Sequence, residues 1–285
     1  MALRQAMTEL GYVDGETIRY EYRGANNDRE RYAALLQELV ALEPAVIVTG
    51  GGSTFGPVSA ATPTIPVVFA FGREGHFSSV GFGSVGEILE RPDGNITGFI
   101  NTTVDGADEV RFAKELVPAA TRIGFLQRGD VSGIEDVEQV VRDAAASLGV
   151  EVVFKVVDTA EDAVPAYESV AAQDVDVMVV SGGGQFVETL AELANAARAA
   201  RMPTTYRPIN AILEGGLISH GVDQVSHWAA AASLVDRILQ GEKPADIPVT
   251  KAVPLTIRVN LAEAKAIGLT VPDSILARAT EIIDD

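Results

Sequence analysis

Two stretches of this chain share one pattern of apolar and polar positions. Ala45-Val46-Ile47-Val48-Thr49 is an apolar, β-branched run that ends in Gly50, Gly51, Gly52, Ser53 and Thr54. Val177-Met178-Val179-Val180-Ser181 repeats it and ends in Gly182, Gly183, Gly184 and Gln185. Such runs suit parallel strands covered on both faces, and a glycine turn lets the backbone enter a helix sharply with its N–H groups open. The flanking pattern recurs as well. In the first half it predicts a helix over 2–10, an alternating strand over 17–22, and a helix over 28–42 with Leu35, Leu36, Leu39 and Val40 on one face. A helix near 54–61, a strand over 65–70 and a short strand over 95–99 follow. In the second half the pattern predicts a strand over 122–127, helices over 134–147, 160–172 and 186–200, and strands over 150–155 and 202–206. Thr159 and Asp162 are placed to form a capping box for the helix over 160–172. Two copies of one βα plan predict an α/β protein of two doubly wound, Rossmann-like lobes.

The repeat is uneven at one end. In the second half the first helix is preceded by a strand, whereas in the first half the helix begins at residue 2. The first strand of the first lobe is therefore expected to lie outside this chain, or its place to be filled by another segment or subunit. In a sheet of order 2-1-3-4-5 that strand is central, and each neighbouring backbone group left buried and unpaired costs roughly 1–3 kcal/mol.

Composition narrows the functions. The chain has 285 residues, enough for two domains with separate cores. Forty acidic against 22 basic residues give a net charge of −18, which repels phosphate backbones and anionic membrane surfaces, so no nucleic-acid partner is expected. No run is long and apolar enough to insert in a membrane, and residues 1–10 lack the core of a signal peptide. With no cysteine there is no thiolate nucleophile or zinc-thiolate site; His76, His220 and His227 have no metal-ligand spacing, so no metal is expected. Neither glycine turn fits the dinucleotide or P-loop pattern, so no cofactor is expected.

Several phrases in fixed order carry a resemblance. They include Leu10-Gly-Tyr-Val-Asp-Gly15, Ala61-Thr-Pro-Thr-Ile-Pro-Val-Val-Phe69, Arg91-Pro-Asp-Gly-Asn-Ile-Thr-Gly98, Gly215-Gly-Leu-Ile-Ser-His-Gly221 and Asn260-Leu-Ala-Glu-Ala-Lys-Ala-Ile-Gly-Leu-Thr270. With them the chain resembles, over nearly its whole length, the ABC-transporter substrate-binding protein family that includes tryptophan, tyrosine and phenylalanine binders. The resemblance implies a type I periplasmic-binding fold, with lobes 1–100 plus 222–248 and 101–221 plus 249–285. It implies a periplasmic or other extracytoplasmic receptor that hands a small-molecule ligand to a membrane permease, made as an exported precursor with a signal segment and first strand upstream of Met1. The chain departs from the family's pattern at Gly72-Arg73-Glu74, where Gly-Asp-Pro is usual, and at Arg207, where proline usually follows the aromatic matched by Tyr206.

The expected ligand contacts follow from the repeat. Gly51, Gly52, Ser53 and Thr54 in the first turn, and Gly183, Gly184 and Gln185 in the second, offer N–H groups, hydroxyls and an amide; helix capping is the competing role for Ser53, Thr54 and Gln185. Arg73 and Arg207 follow equivalent strands, where a guanidinium grips a carboxylate or lies solvated at the surface. Phe71, Phe77 and Tyr206 stack on a ligand or belong to the core, and His220 is a further lining candidate. Met7 and Met178 read as core, and His227 and Trp228 as packing on their helix. The function expected is that of a receptor, not an enzyme, closing two lobes on an amino acid or other small carboxylate. The alternatives are the ligand-sensing core of a regulator and a two-lobed Rossmann-like enzyme.

Overall fold

The computed structural model describes residues 2–24, 29–50, 57–58, 61–72, 94–100, 105–129, 134–182, 184–250 and 255–284. The chain divides into two compact units: Met1–Thr103 with Asp223–Pro254, and Val104–Val222 with Leu255–Asp285.

In the first unit α1 (Ala2–Glu9) and α2 (Arg29–Ala41) precede β1 (Ile47–Thr49), β2 (Val67–Gly72) and β3 (Ile96–Ile100). The strands pair in parallel in the order β1-β2-β3. Period-two alternation divides their side chains between two cores. Ile47 and Val67 pack with Leu36 of α2 and Val58, whereas Val68 and Ala70 pack with Met7 and with Ala231, Leu234 and Val235 of a later helix.

The second unit runs through α3 (Gly106–Leu116), β4 (Arg122–Arg128), α4 (Ile134–Ser147), β5 (Glu151–Val157), α5 (Ala163–Ala171), β6 (Val177–Ser181), a 3-10 turn over Gly184–Thr189, α6 (Leu190–Ala200) and β7 (Thr204–Tyr206). A second 3-10 turn over Ile209–Glu214 then leads into β8 (Ile218–Gly221). The chain next supplies α7 (Gln224–Leu239) to the first unit and returns with β9 (Thr256–Asn260), α8 (Leu261–Ile267), α9 (Asp273–Leu276) and β10 (Glu281–Ile283). The sheet order is β10-β9-β8-β7-β6-β4-β5, parallel except where β8 meets β9. Its first five strands in chain order thus lie as 2-1-3-4-5, the doubly wound order. Ile123, Phe125, Val177 and Val179 face a core shared with α3 and α4, while Leu126, Met178 and Val180 face one shared with α5 and α6. Met7 and Met178 are fully buried.

Three local expectations are corrected. Residues 17–22 form no strand; the described residues there make one isolated bridge, Asp14 to Ile18. The alternation alone cannot hold an extended segment, which needs a ladder partner. Its counterpart β5 is held along all seven of its residues by β4, and no described strand stands to 17–22 in that way. Residues 184–189 form a 3-10 turn before the α-helix begins at Leu190. At Thr159 the hydroxyl accepts from the Asp162 N–H at 3.3 Å but donates to the Asp162 carboxylate at 2.7 Å, so the reciprocal half of the box is replaced by a side-chain contact. A complete capping box stands instead at Asp105 and Asp108, at the start of α3.

α7 is anchored in the first unit by Tyr12, whose hydroxyl donates to Asp236 at 2.8 Å, and is capped by Asp223. The Asp223 carboxylate accepts from the N–H groups of Val225 at 2.9 Å and Ser226 at 3.2 Å. Asp223→Ala is expected to cost about 1–2 kcal/mol, because the first-turn N–H groups lose their acceptor; a thermal melt of the variant showing no loss would contradict the cap's role.

Candidate functional site

The strand order of the second sheet reverses at β4, so the carboxyl ends of β4 and β6 form a switch point, the place where open α/β sheets collect ligands. The alternation that sorts the strand side chains continues past the strand ends. Val177 and Val179 face α3, and so does Ser181, which is 1% exposed. Tyr206 follows the opposite face. It is 1% exposed, packed with Tyr167, Phe186 and Ala211, and its buried hydroxyl has no hydrogen-bond partner among the described residues. The structure therefore places Tyr206 in the core, because β7 turns alternate residues to opposite faces and Tyr206 falls on the α5–α6 side.

Arg207 is turned the other way. Its backbone N–H donates to the Val180 carbonyl at 3.0 Å, which fixes it against the end of β6. Its side chain is 22% exposed, and Nη1 lies 3.9 Å from Oε2 of Glu109. Glu109 is 4% exposed and its Oε2 accepts the Ser181 hydroxyl at 2.7 Å. Burial pushes the Glu109 carboxyl up to about 7; the Arg207 charge and the Ser181 hydrogen bond pull it back, while Asp105 and Asp108 push it further up. The result is a partly exposed guanidinium backed by a buried carboxyl whose protonated form is favoured by burial.

His220 extends this polar row along β8. Its ring lies 4.3 Å, centroid to centroid, from Phe112 of α3, at 30°. Burial brings it down to about 4, with Arg278 lowering it further, so it is neutral at pH 7, and its buried Nδ1 has no hydrogen-bond partner among the described residues. His220 and Arg207 thus share the α3 side of the sheet, with Arg207 contributing to the field at both His220 and Glu109.

The first unit offers Phe71 near the end of β2, partly buried, with Trp228 edge-on at 6.0 Å and His227 edge-on at 6.3 Å. His227 is fully buried and Trp228 partly so, both on α7. A Cβ on Gly50 would lie 3.4 Å from the Phe71 ring, so the aromatic group packs against Gly50. Gly51, Gly52, Ser53, Thr54, Arg73, Phe77 and Gly183 lie outside the described residues, as does the side chain of Gln185.

Sequence reasoning does not single out Glu109 or Ser181. The signal for Glu109 is its place on the buried stripe of α3: Gly106, Glu109, Val110, Ala113 and Leu116 recur at helical spacing, and all are buried. An acid on such a stripe needs a partner inside the fold. It is masked because Asp108 and Glu109 stand together in the first helical turn, where acids are usual.

Among the described residues no cluster of three or more His, Asp or Glu side chains could hold a metal ion. No described helix is long and apolar enough to cross a membrane.

With this geometry in view, the relatives are informative. The tyrosine-binding protein of Clostridioides difficile (strain R20291) is 25% identical over 268 residues, covering 93% of this chain and 75% of that protein. A crystal structure of an ABC domain from Streptococcus pneumoniae in complex with L-Trp superposes with a TM-score of 0.77 at 21% identity, covering 99% of this chain and 93% of that one. A ligand-free, open substrate-binding protein with adhesive properties from Clostridium difficile gives 0.73 at 20% identity, covering 100% and 93%. The likeness in fold is that of two Rossmann-like α/β units of the type I periplasmic-binding kind. Residues 2–283 match the family described as ABC transporter substrate binding protein. Nearly the whole chain is spanned by that match, and the chain belongs to the ABC transporter substrate-binding protein family.

Proposed function

We propose that this protein is the solute receptor of an ABC importer, working outside the cytoplasm, which closes its two units on an amino acid or other small carboxylate and is then read by a membrane permease. Its family supports binding rather than turnover, and its relatives include a tyrosine-binding protein and a protein solved in complex with L-Trp. The chain passes between the units after Thr103, Val222 and Pro254, and these crossings serve as the hinge. A ligand drives closure by its greater affinity for the closed form.

The observation that carries the ligand class is Arg207: its backbone is fixed to the end of β6 and its guanidinium is partly exposed at the carboxyl end of the sheet, in a protein whose net charge of −18 otherwise repels anions. In this reading Arg207 and the N–H groups of Gly183, Gly184 and Gln185 hold the carboxylate on the second unit. Gly51, Gly52, Ser53, Thr54, Phe71 and Arg73 contribute from the first, and His220 lines the row beside Arg207. A few hydrogen bonds to a charged ligand at roughly 1.5–3 kcal/mol each, less the cost of association, reach the approximately −8 kcal/mol of micromolar binding.

The test is a thermal-shift screen of the amino acids and of small carboxylates lacking an amine. At least one amino acid is expected to raise the melting temperature. Arg207→Ala is expected to weaken its binding by about tenfold or more, as loss of one charge-assisted hydrogen bond requires. A screen in which no solute shifts the melt removes the receptor reading.

A further inference from the structure

Glu109 is a buried acid that this account of ligand binding leaves unused. Its Oε2 is engaged by Ser181 at 2.7 Å and faces Arg207 at 3.9 Å, while its Oε1 is buried with no hydrogen-bond partner among the described residues. The charged groups acting on it are Arg207, which follows β7, and Asp105 and Asp108 at the start of its own helix. From α4, Val137 and Val141 approach the first turn of α3 at Gly106, so that side is apolar. His220 on β8 packs at a tilt on Phe112, three residues further along α3. Arg207 is therefore the cation that favours the charged form of Glu109, and it is also the cation to which a ligand carboxylate would be drawn.

We infer that Glu109 is the positioning residue for Arg207, and that a carboxylate ligand settling on Arg207 binds together with one proton, which is taken up from solvent on Glu109. The inference rests on the reading of Arg207 as a ligand-binding group. Two carboxylates on one guanidinium repel, and in a buried setting one of them takes a proton. The ligand keeps its charge, the Arg207 cation passes from Glu109 to the ligand, and the proton neutralises Glu109. No covalent bond in the ligand changes. The unpartnered Oε1 fits this exchange, because a neutral carboxyl is far cheaper to leave partly unsatisfied than a carboxylate. Burial already lifts this carboxyl to about 7, so the exchange falls in the physiological range.

Isothermal titration of the protein with L-tryptophan and L-tyrosine, between pH 6 and 8.5 in two buffers of different ionisation enthalpy, reads the proton directly. Uptake approaching one proton per ligand is expected above about pH 7, with affinity falling about tenfold per pH unit there and levelling below it. Glu109→Gln is expected to abolish the uptake and flatten the profile. Wild-type binding without uptake, or uptake that persists in Glu109→Gln, overturns the inference. Binding of neither probe counts against the choice of ligand, and the pairing of Glu109 with Arg207 is then read in the free protein. Titration of the Glu109 carboxyl carbon by NMR is expected to shift upward by about one pH unit or more in Arg207→Ala. An unchanged titration overturns the pairing whatever the ligand.

Discussion

Gly221→Ala is expected to destabilise the second unit by roughly 3 kcal/mol, at the upper end of what overpacking costs. A Cβ at Gly221 would lie 2.1 Å from the Arg207 carbonyl oxygen, 3.2 Å from its carbonyl carbon and 3.4 Å from Cγ2 of Ile209. The first two obstacles are backbone, so no rotamer change relieves them. β8 would have to part from β7, to which it is registered only at Thr205–Ile218 and Tyr206–Ser219. That separation also moves Arg207, so binding of any ligand held by its guanidinium is expected to weaken with stability. Gly268→Ala provides the comparison: its φ is +80° but its Cβ meets nothing within 4 Å, so it reports left-handed strain alone, about 1 kcal/mol. Chemical denaturation of the two variants in which Gly221→Ala costs no more than Gly268→Ala would refute the close approach of β8 to Arg207.

The second large effect is a pH dependence of stability that two variants should separate. The folded protein raises Glu109 from its usual 4.5 to about 7, so it favours the protonated acid. That contribution is complete below pH 4.5 and is lost as pH rises through about 7. A displacement of between two and three pH units, at about 1.4 kcal/mol per unit, is on the order of 3 kcal/mol. His220 acts in the opposite sense. Its folded state favours the neutral ring, so its contribution is present above 6.5 and is lost as pH falls through about 4. In the wild type the two slopes oppose one another across their shared range. Glu109→Gln, neutral at every pH, is expected to match the wild type near pH 4 and to exceed it by on the order of 3 kcal/mol at pH 8. His220→Phe is expected to relieve the acid-side loss. Denaturation midpoints of wild type and Glu109→Gln that stay parallel from pH 4 to 8 would show that Glu109 is not held as described.

The turns and hydrophobic repeat made much of this legible. The helix expected over 134–147 spans Ile134–Ser147, and the strands expected over 122–127 and 150–155 span Arg122–Arg128 and Glu151–Val157. Each carries its own information: apolar spacing on one face for the helix, and for the strands short apolar stretches, Ile123 to Leu126 and Val152 to Phe154, bounded by polar residues. Residues 17–22 alternate polar and apolar positions as a strand does and form none, because a strand is completed by a neighbour. The position of Arg207 just past the strand expected over 202–206 was legible from the repeat; its approach to Glu109 was not. Tyr206, one position earlier, reads equally well as a ligand contact and lies in the core.

What the sequence by itself determined was the duplicated βα plan, the family, and the absence from its composition of a thiolate or the spacing for a histidine metal site, since all of these depend on residue identity and local period. What only the tertiary structure decided was which faces meet. A one-residue step along β7 sends Tyr206 into one core and Arg207 toward the other. The packing of α3 on β6 turns Glu109, at a position where an acid usually meets water, into a buried carboxyl facing that arginine. Local pattern sets where a side chain points along its own element; the partner it finds there comes from a segment distant in sequence, 72 residues away for Ser181 and Glu109.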